Sequence, residues 1–125
     1  MGIAKAFKNA NSNSKIIAVE PSSSPILSEG IKGSHNVEGV GLGFIPKIYD
    51  SKLVDDVITI EESIARQTSR DLALKEGVFC GTSSGMNVAA AIQISQKLGP
   101  KSRVVAIACD TGLKYLSEGL FDKKN

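Results

Sequence analysis

Two apolar segments flank one helical segment in the second half of the chain, and this arrangement constrains the fold more than any other feature. Residues 78–80 are apolar, and a turn of small residues, Gly-Thr-Ser-Ser-Gly, follows at 81–85. An Ala-rich stretch with helical spacing covers 84–98 and ends at Gly-Pro, residues 99–100. Residues 103–109, Arg-Val-Val-Ala-Ile-Ala-Cys, have the apolar character of a central strand that is buried on both faces. The order strand, helix, strand predicts a parallel pair with the helix packed across it.

The first half of the chain repeats this alternation. Further strands are predicted over residues 15–20, before Pro21, and over 54–60. Further helices are predicted over 3–8, before a polar turn at 9–14, and from 26 to Gly30, and a last helix over 113–121. Strands thus alternate with helices four times, which predicts an α/β layered fold with parallel strands.

A longer helix is predicted between the strand at 54–60 and the turn at 81–85. Thr59 and Glu62 have the spacing of a capping box, so Thr59 is expected to cap its start. Gly77 is expected to end it in a left-handed conformation. The predicted buried face consists of Ile64, Ala65, Thr68 and Leu72.

Length and composition exclude several classes of protein. The 125 residues allow one domain, and the net charge of +2 is too small to argue for nucleic acid or an anionic membrane as partner. No segment is apolar over the roughly eighteen residues that a membrane-spanning helix needs. Cys80 and Cys109 lack the spacing of metal ligands, so they are interpreted as reduced core thiols of a cytoplasmic protein.

Three segments are expected at the carboxyl edge of the sheet, where ligands of such folds bind. They are the turn at 81–85, the segment Asp110-Thr111-Gly112, and a glycine-rich loop, Gly-Val-Gly-Leu-Gly-Phe-Ile-Pro, at 39–46. Each also has a plain structural interpretation. Ser83 and Ser84 could cap the helix, and Asp110 could shape a turn. The single histidine, His35, has the context of a surface loop.

In this order, the segments resemble the carboxyl-terminal part of the cysteine synthase (O-acetylserine sulfhydrylase) family. The resemblance implies a three-layer α/β sandwich with a mostly parallel sheet, which is part of the large domain of the tryptophan synthase β-like fold. It also implies pyridoxal phosphate as cofactor and the synthesis of L-cysteine from O-acetylserine and sulfide by β-replacement. Residues 1–125 would form a single partial domain. The matching blocks are Ala-Val-Glu-Pro with Ser-Pro at 18–25, the glycine-rich loop at 39–46, Glu-Gly to Ser-Ser-Gly at 76–85, and Asp-Thr-Gly-Leu-Lys-Tyr-Leu-Ser at 110–117.

The resemblance also implies where cofactor and substrate would bind. Ser83 would form a hydrogen bond with the pyridine nitrogen of the cofactor. Since a hydroxyl cannot hold a pyridinium cation as a carboxylate can, that nitrogen would stay neutral. The other cofactor-binding residues that it implies are Thr82, Gly85, Asp110 and Thr111. An amino-acid substrate would lie against Gly39, Val40, Gly41 and Gly43, and no metal is implied.

Three motifs of the family have no counterpart in this sequence: the Schiff-base lysine in Ser-x-Lys-Asp-Arg, the substrate loop Thr-Ser-Gly-Asn-Thr-Gly, and the phosphate-binding Gly-Thr-Gly-Gly-Thr. Leu113 also stands where the family usually has an acidic residue. We therefore expect a fragment of such an enzyme, with no catalytic residue of its own, weak or absent cofactor binding and no turnover. The alternative is a non-catalytic binding or interaction protein derived from the same fold. The family is usually homodimeric, which leaves the oligomeric state of this chain open.

Overall fold

The structure is a computed structural model that describes residues 1–10 and 13–122, so residues 11 and 12 of the predicted polar turn lie outside the described part. Within these ranges, four α-helices, two strands and two short 3-10 helices follow one another. Their bounds are α1 Gly2–Asn9, β1 Ile17–Pro21, α2 Ile26–Glu29, 3-10 helix Ser51–Leu53, β2 Asp56–Ile60, α3 Glu62–Glu76, α4 Thr82–Leu98 and 3-10 helix Gly112–Glu118.

The two strands pair in parallel, from Ile17 opposite Asp56 to Pro21 opposite Ile60. This confirms the predicted parallel pairing. Helix α4 packs against both strands and along α3. The buried core between these elements consists of Val37, Ile60, Ala65, Met86, Ala89 and Ala90.

Helices α3 and α4 approach each other closely at Gly85. A side chain at this position would place its Cβ 2.8 Å from the backbone nitrogen of Ser69, so only glycine fits there. The Ser69 hydroxyl donates hydrogen bonds to the carbonyls of Gly81 (2.9 Å) and Ala65 (3.2 Å). The helix pair is therefore joined by small residues and a shared hydroxyl.

The start and the buried face of α3 differ from the prediction. Thr59 lies within β2, and Glu61 occupies the N-cap position without a capping hydrogen bond from its side chain, so the predicted capping box is wrong. The buried residues of α3 are Ala65 and Ser69, whereas Ile64 is 42% exposed. The reason is the close contact with α4, which admits only small side chains. Gly77 ends the helix with φ = 69°, as predicted.

Residues 103–109 do not form the predicted central strand. Among the described residues no strand pairs with this segment, and Val105 is 81% exposed. Side chains of α4 hold it instead: Asn87 donates to the carbonyl of Ile107 (3.0 Å), and the backbone N–H of Cys109 donates to the Ser84 hydroxyl (2.8 Å). A central strand needs neighbouring strands to pair with its backbone and packed layers to cover both of its faces. The described part of the chain supplies no paired strand here, and one face of the segment stays exposed.

Of the four predicted strands, only β1 and β2 form within the described ranges, so the fourfold alternation is wrong, whereas the remaining helices are confirmed with small changes. The parallel pairing predicted for residues 78–80 is wrong: they contribute one bridge, from Cys80 to Thr111, and it is antiparallel. Helix α4 begins at Thr82, two residues before the expected start, and the last helix is of the 3-10 type. Both cysteines are free thiols; Cys80 is buried, but Cys109 is exposed, so the interpretation of Cys109 as a core thiol is wrong. Within the described ranges, no helix is long and apolar enough to cross a membrane.

Candidate active site

A cavity of about 180 Å³ lies where the glycine-rich loop meets the start of α4 and the second 3-10 helix. Four residues predicted to bind cofactor or substrate line it together, although they are far apart in sequence. Gly39 and Val40 belong to the loop, Ser83 to the first turn of α4, and Asp110 to the turn after the extended segment 103–109. The whole lining is Glu38, Gly39, Val40, Ser83, Cys109, Asp110, Lys114 and Tyr115.

Ser83 is 5% exposed, and its hydroxyl forms no hydrogen bond with any described residue. It does not cap the helix, because Gly81 occupies the N-cap position and no side chain caps α4. Ser84 does not cap it either, since its hydroxyl accepts the N–H of Cys109. The first turn of α4 also carries backbone N–H groups without carbonyl partners inside the helix. Ser83 therefore offers a hydroxyl to the cavity that the protein itself does not use.

Two further polar atoms near the start of α4 are buried without a partner in the described structure. They are Oγ1 of Thr82 and Oδ1 of Asp110. A buried polar atom without a partner costs about 1–3 kcal/mol, so such atoms are uncommon outside ligand sites. The other carboxylate oxygen of Asp110 accepts a hydrogen bond of 2.7 Å from the phenol of Tyr115. Burial of Tyr115 and the neighbouring Asp110 carboxylate raise the pKa of the phenol, so it remains a donor.

Lys114 lines the cavity as one half of an ion pair with Glu38. The pair joins the 3-10 helix to the residue that precedes Gly39. Its ammonium group also lies 5.8 Å from the centre of the Tyr115 ring. The Glu38 carboxylate raises the pKa of Lys114, so this amine stays charged and is a poor nucleophile.

The other predicted site residues do not line this cavity. Gly85 lies against α3, and Thr82 is buried beside Ser83. Thr111 is exposed, and its hydroxyl oxygen accepts the N–H of Leu113 at 3.3 Å. Gly41 packs against His35 and Pro21, and Gly43 against Lys32. Their roles toward a ligand stay predictions.

His35 is more than the surface-loop residue that its sequence context indicated. Its Nε2 atom lies 3.0 Å from the carbonyl oxygen of Gly41, and its Nδ1 atom accepts the N–H of Val37 at 3.2 Å. Sequence reasoning also missed Glu38, Lys114 and Tyr115. Their positions directly before Gly39 and four to five residues after Asp110 are the signals that could have indicated them.

Residues 1–110 match the family described as "Pyridoxal-phosphate dependent enzyme". Among individual proteins, O-ureido-L-serine synthase of Streptomyces lavendulae is 36% identical over 121 residues, which are 97% of this chain and 37% of that protein. Cysteine synthase of Staphylococcus aureus is 38% identical over 120 residues, which are 96% of this chain and 39% of that protein.

Solved structures agree with these matches. The crystal structure of O-ureido-L-serine synthase superposes with a TM-score of 0.91 at 36% identity. The superposed region is 100% of this chain and 40% of the O-ureido-L-serine synthase chain. Cysteine synthase from Entamoeba histolytica superposes with a TM-score of 0.90 at 35% identity. The superposed region is 99% of this chain and 37% of the cysteine synthase chain.

The described part of the chain therefore has the predicted α/β class, with the parallel sheet of these enzymes, although it spans only about two fifths of the length of the relatives. The family match over residues 1–110 includes six of the eight residues that line the cavity, among them Gly39 and Val40 of the glycine-rich loop and Ser83 of α4. On this basis the chain belongs to the family of pyridoxal-phosphate-dependent enzymes.

Proposed function

We propose that this chain forms two walls of a pyridoxal-phosphate site: the wall that faces the ring nitrogen of the cofactor, and the loop that faces an amino-acid substrate. The proposed reaction is β-replacement on a serine with an acylated side-chain oxygen, in which the Cβ–O bond breaks, the carboxylate leaves and the nucleophile adds at the β-carbon, as in cysteine synthesis from O-acetylserine and sulfide. The observation that carries the proposal is Ser83, which is 5% exposed, lines the same cavity as Gly39 and Val40, and has a hydroxyl without a hydrogen-bond partner among the described residues.

The residues around Ser83 fit the nitrogen end of a pyridine ring. A hydroxyl can donate to a neutral ring nitrogen but does not stabilise a positive charge there as a carboxylate would. When bound, pyridoxal phosphate supplies an electron sink for negative charge on the amino acid. A neutral ring is the weaker sink, which suits elimination and addition at the β-carbon. The residue before Ser83, Thr82, adds a buried Oγ1 that has no partner in the described structure.

The opposite wall fits a small amino acid. Gly39 presents backbone without a side chain, and Val40 presents an apolar surface. The Glu38–Lys114 ion pair lies on the cavity lining and balances its own charges, so neither group is free to hold a substrate carboxylate. We infer that this wall positions the substrate side chain rather than its charged groups.

The described lining contains no group suited to anchor the cofactor by its phosphate or by a covalent bond. Lys114 is the lysine on this cavity, and it is charged and paired with Glu38. We therefore propose that residues 1–125 alone bind the cofactor weakly and do not turn over, and that activity requires the segments that the relatives have in addition.

A chimera tests this proposal. Residues 1–125 replace the matching 120-residue segment of Staphylococcus aureus cysteine synthase, and formation of cysteine from O-acetylserine and sulfide is measured. We expect an active chimera with the absorbance of bound cofactor. Ser83→Ala should lower kcat about 10–100-fold, because one hydrogen bond to the ring is lost in a dry site.

Ser95→Ala serves as the matched control. Ser95 lies on the same helix, and its hydroxyl donates only to the carbonyl of Ile92 within α4. A folded chimera that binds no cofactor, or in which Ser83→Ala and Ser95→Ala are equally active, would contradict the proposal and favour the non-catalytic alternative.

A further inference from the structure

His35 connects two points of the glycine-rich loop, and its two contacts determine where its proton lies. The backbone N–H of Val37 can only donate, so the Nδ1 atom that it contacts at 3.2 Å must carry a lone pair. The carbonyl of Gly41 can only accept, so the Nε2 atom at 3.0 Å must carry the proton. Both contacts agree with one form of the ring, the neutral Nε2–H tautomer.

The two partners of the ring lie on either side of the cavity-lining residues Gly39 and Val40. Val37 is 3% exposed and belongs to the core, so it anchors one end. At the other end, Gly41 has φ = 54°, and a Cβ there would lie 2.9 Å from Cε1 of the imidazole. The ring therefore packs directly against the Gly41 backbone and connects it to the core.

The charged side chains closest to the ring in sequence or across the loop have other contacts. Lys32 packs beside Gly43, Glu38 pairs with Lys114, and Glu62 accepts the N–H of Asn36 at 2.8 Å. Within the described ranges, no hydrogen bond or ion pair joins a charged group to the imidazole. Only backbone groups hold the ring.

We propose that His35 is a positioning residue of the substrate loop: as the neutral Nε2–H tautomer, it connects Val37 to Gly41 and so holds Gly39 and Val40 against the cavity. The part of this inference that concerns substrate rests on the proposed function. The part that concerns the loop does not, because it follows from the two hydrogen bonds and the fit of Gly41.

Nuclear magnetic resonance of the full ¹⁵N-labelled chain tests the tautomer without any substitution. His35 is the only histidine, so its ring nitrogens are assigned at once. We expect a pyridine-like signal for Nδ1 and a pyrrole-like signal for Nε2. A proton on Nδ1, or rapid exchange between the two forms, would overturn the inference.

Two variants separate the two contacts. The side-chain oxygen of His35→Asn can still accept the N–H two residues later, as in an Asx turn, but its amide is too short to reach Gly41. His35→Ala loses both contacts. The exposed neighbour Ser34→Ala is the matched control, because its hydroxyl has no hydrogen-bond partner in the described structure.

Backbone order parameters of Gly39 and Val40 are the readout. We expect values near 0.85 in the native chain and in Ser34→Ala, and below about 0.6 in His35→Ala and His35→Asn. Slow amide exchange at Val37 should persist in His35→Asn only. An ordered loop in His35→Ala would overturn the inference. If that variant unfolds, the tautomer of His35 measured in the native chain still tests the inference.

In the chimera, His35→Ala should lower kcat/KM for O-acetylserine about 10–100-fold, because the loop no longer positions the substrate. The absorbance of the bound cofactor should stay unchanged. An inactive parent chimera would count against the proposed function alone, whereas the tautomer and the order parameters judge His35 independently.

Discussion

Individual residues around the start of α4 carry polar atoms that the described structure leaves without partners. The hydroxyl of Ser83 faces the cavity, and Oγ1 of Thr82 and Oδ1 of Asp110 are buried. Protein interiors rarely leave such groups unsatisfied, because each costs about 1–3 kcal/mol. Two such buried atoms next to the cavity-lining Ser83 indicate a region built for a polar ligand rather than for stability.

Thr82→Val tests this view of the site. The substitution keeps the shape of the side chain and removes its hydroxyl. Thr82 is 1% exposed, and its hydroxyl has no hydrogen-bond partner in the described structure. We expect the free energy of unfolding, measured by urea denaturation, to rise by about 1 kcal/mol. In the chimera, the same substitution should weaken cofactor binding if the hydroxyl contacts the cofactor.

Thr68→Val is the matched control for this substitution. The Thr68 hydroxyl already donates to the carbonyl of Ile64 at 2.8 Å, so its removal should bring no gain in stability. A loss of stability in Thr82→Val would show that the hydroxyl has a partner in solution and would remove Thr82 from the candidate site.

At the scale of elements, α3 and α4 form the scaffold that presents Ser83 to the cavity. Their contact depends on Gly85, which leaves room for the backbone of Ala65 and Ser69. In α3, large apolar residues do not mark the buried face. Ile64, for example, is 42% exposed. Close packing of small residues thus replaces a conventional apolar stripe in this helix pair.

Gly85→Ala should destabilise the chain by about 1–3 kcal/mol, because the added methyl group would lie 2.8 Å from the Ser69 nitrogen and the helices would have to move apart. Thermal or urea unfolding measures the effect. Gly2→Ala in α1 is the control, since a Cβ there meets no atom within 4 Å. Equal stability of the two variants would show that the helices are not in close contact at Gly85.

Asp55 joins the start of β2 to two other parts of the chain. Its carboxylate accepts the N–H of Ile16 (2.8 Å) and a hydrogen bond from Lys8 of α1 (3.2 Å), and Lys15 lies 3.6 Å away. The hydrogen bond from Ile16 is the largest cause of a lowered pKa, followed by Lys8. A lowered pKa in the folded state means that Asp55 adds stability above its unfolded pKa of about 3.8, and that this contribution is lost as the pH falls through the folded value.

We therefore expect Asp55→Asn to be less stable than the native chain at pH 7, and the difference to shrink below about pH 4. Melting temperatures measured from pH 7 to pH 2 give the comparison. Asp56→Asn, next to it, is a suitable control, because its carboxylate accepts only the N–H of Val57 at 2.8 Å. A difference that stays constant over the whole range would show that the charge of Asp55 contributes nothing.

At the scale of the whole molecule, the sequence predicted those features that depend on local chemistry. Gly77 ends α3, and β1 and β2 pair in parallel, as the glycine and the two apolar runs indicated. Gly39, Val40, Ser83 and Asp110 share one cavity because the loops of an α/β fold meet at one edge of the sheet. Contacts that depend on three-dimensional proximity, such as those of His35 and Lys114, leave no periodic pattern and were missed.

The segment 103–109 shows the limit of such prediction most clearly. Its composition is that of a central strand, yet Val105 and Ile107 are exposed and no described strand lies beside them. An apolar sequence indicates that a segment is stable when it is buried. Whether it is buried depends on the elements that pack against it. The relatives are more than twice as long as this chain, so additional segments are available to cover the same position in them.

The exposure of Val105 leads to a prediction that separates the chain from the complete fold. In residues 1–125 alone, Val105→Lys should change the free energy of unfolding by less than about 0.5 kcal/mol, because the side chain is 81% exposed. In the chimera, we expect the segment to become an internal strand, where an unpaired lysine is strongly destabilising. Leu74→Lys, at an 83% exposed position on α3, should be tolerated in both proteins. Urea denaturation of the four variants provides the measurement; a chimera that tolerates Val105→Lys as well as Leu74→Lys would show that this segment stays at the surface even in the complete enzyme.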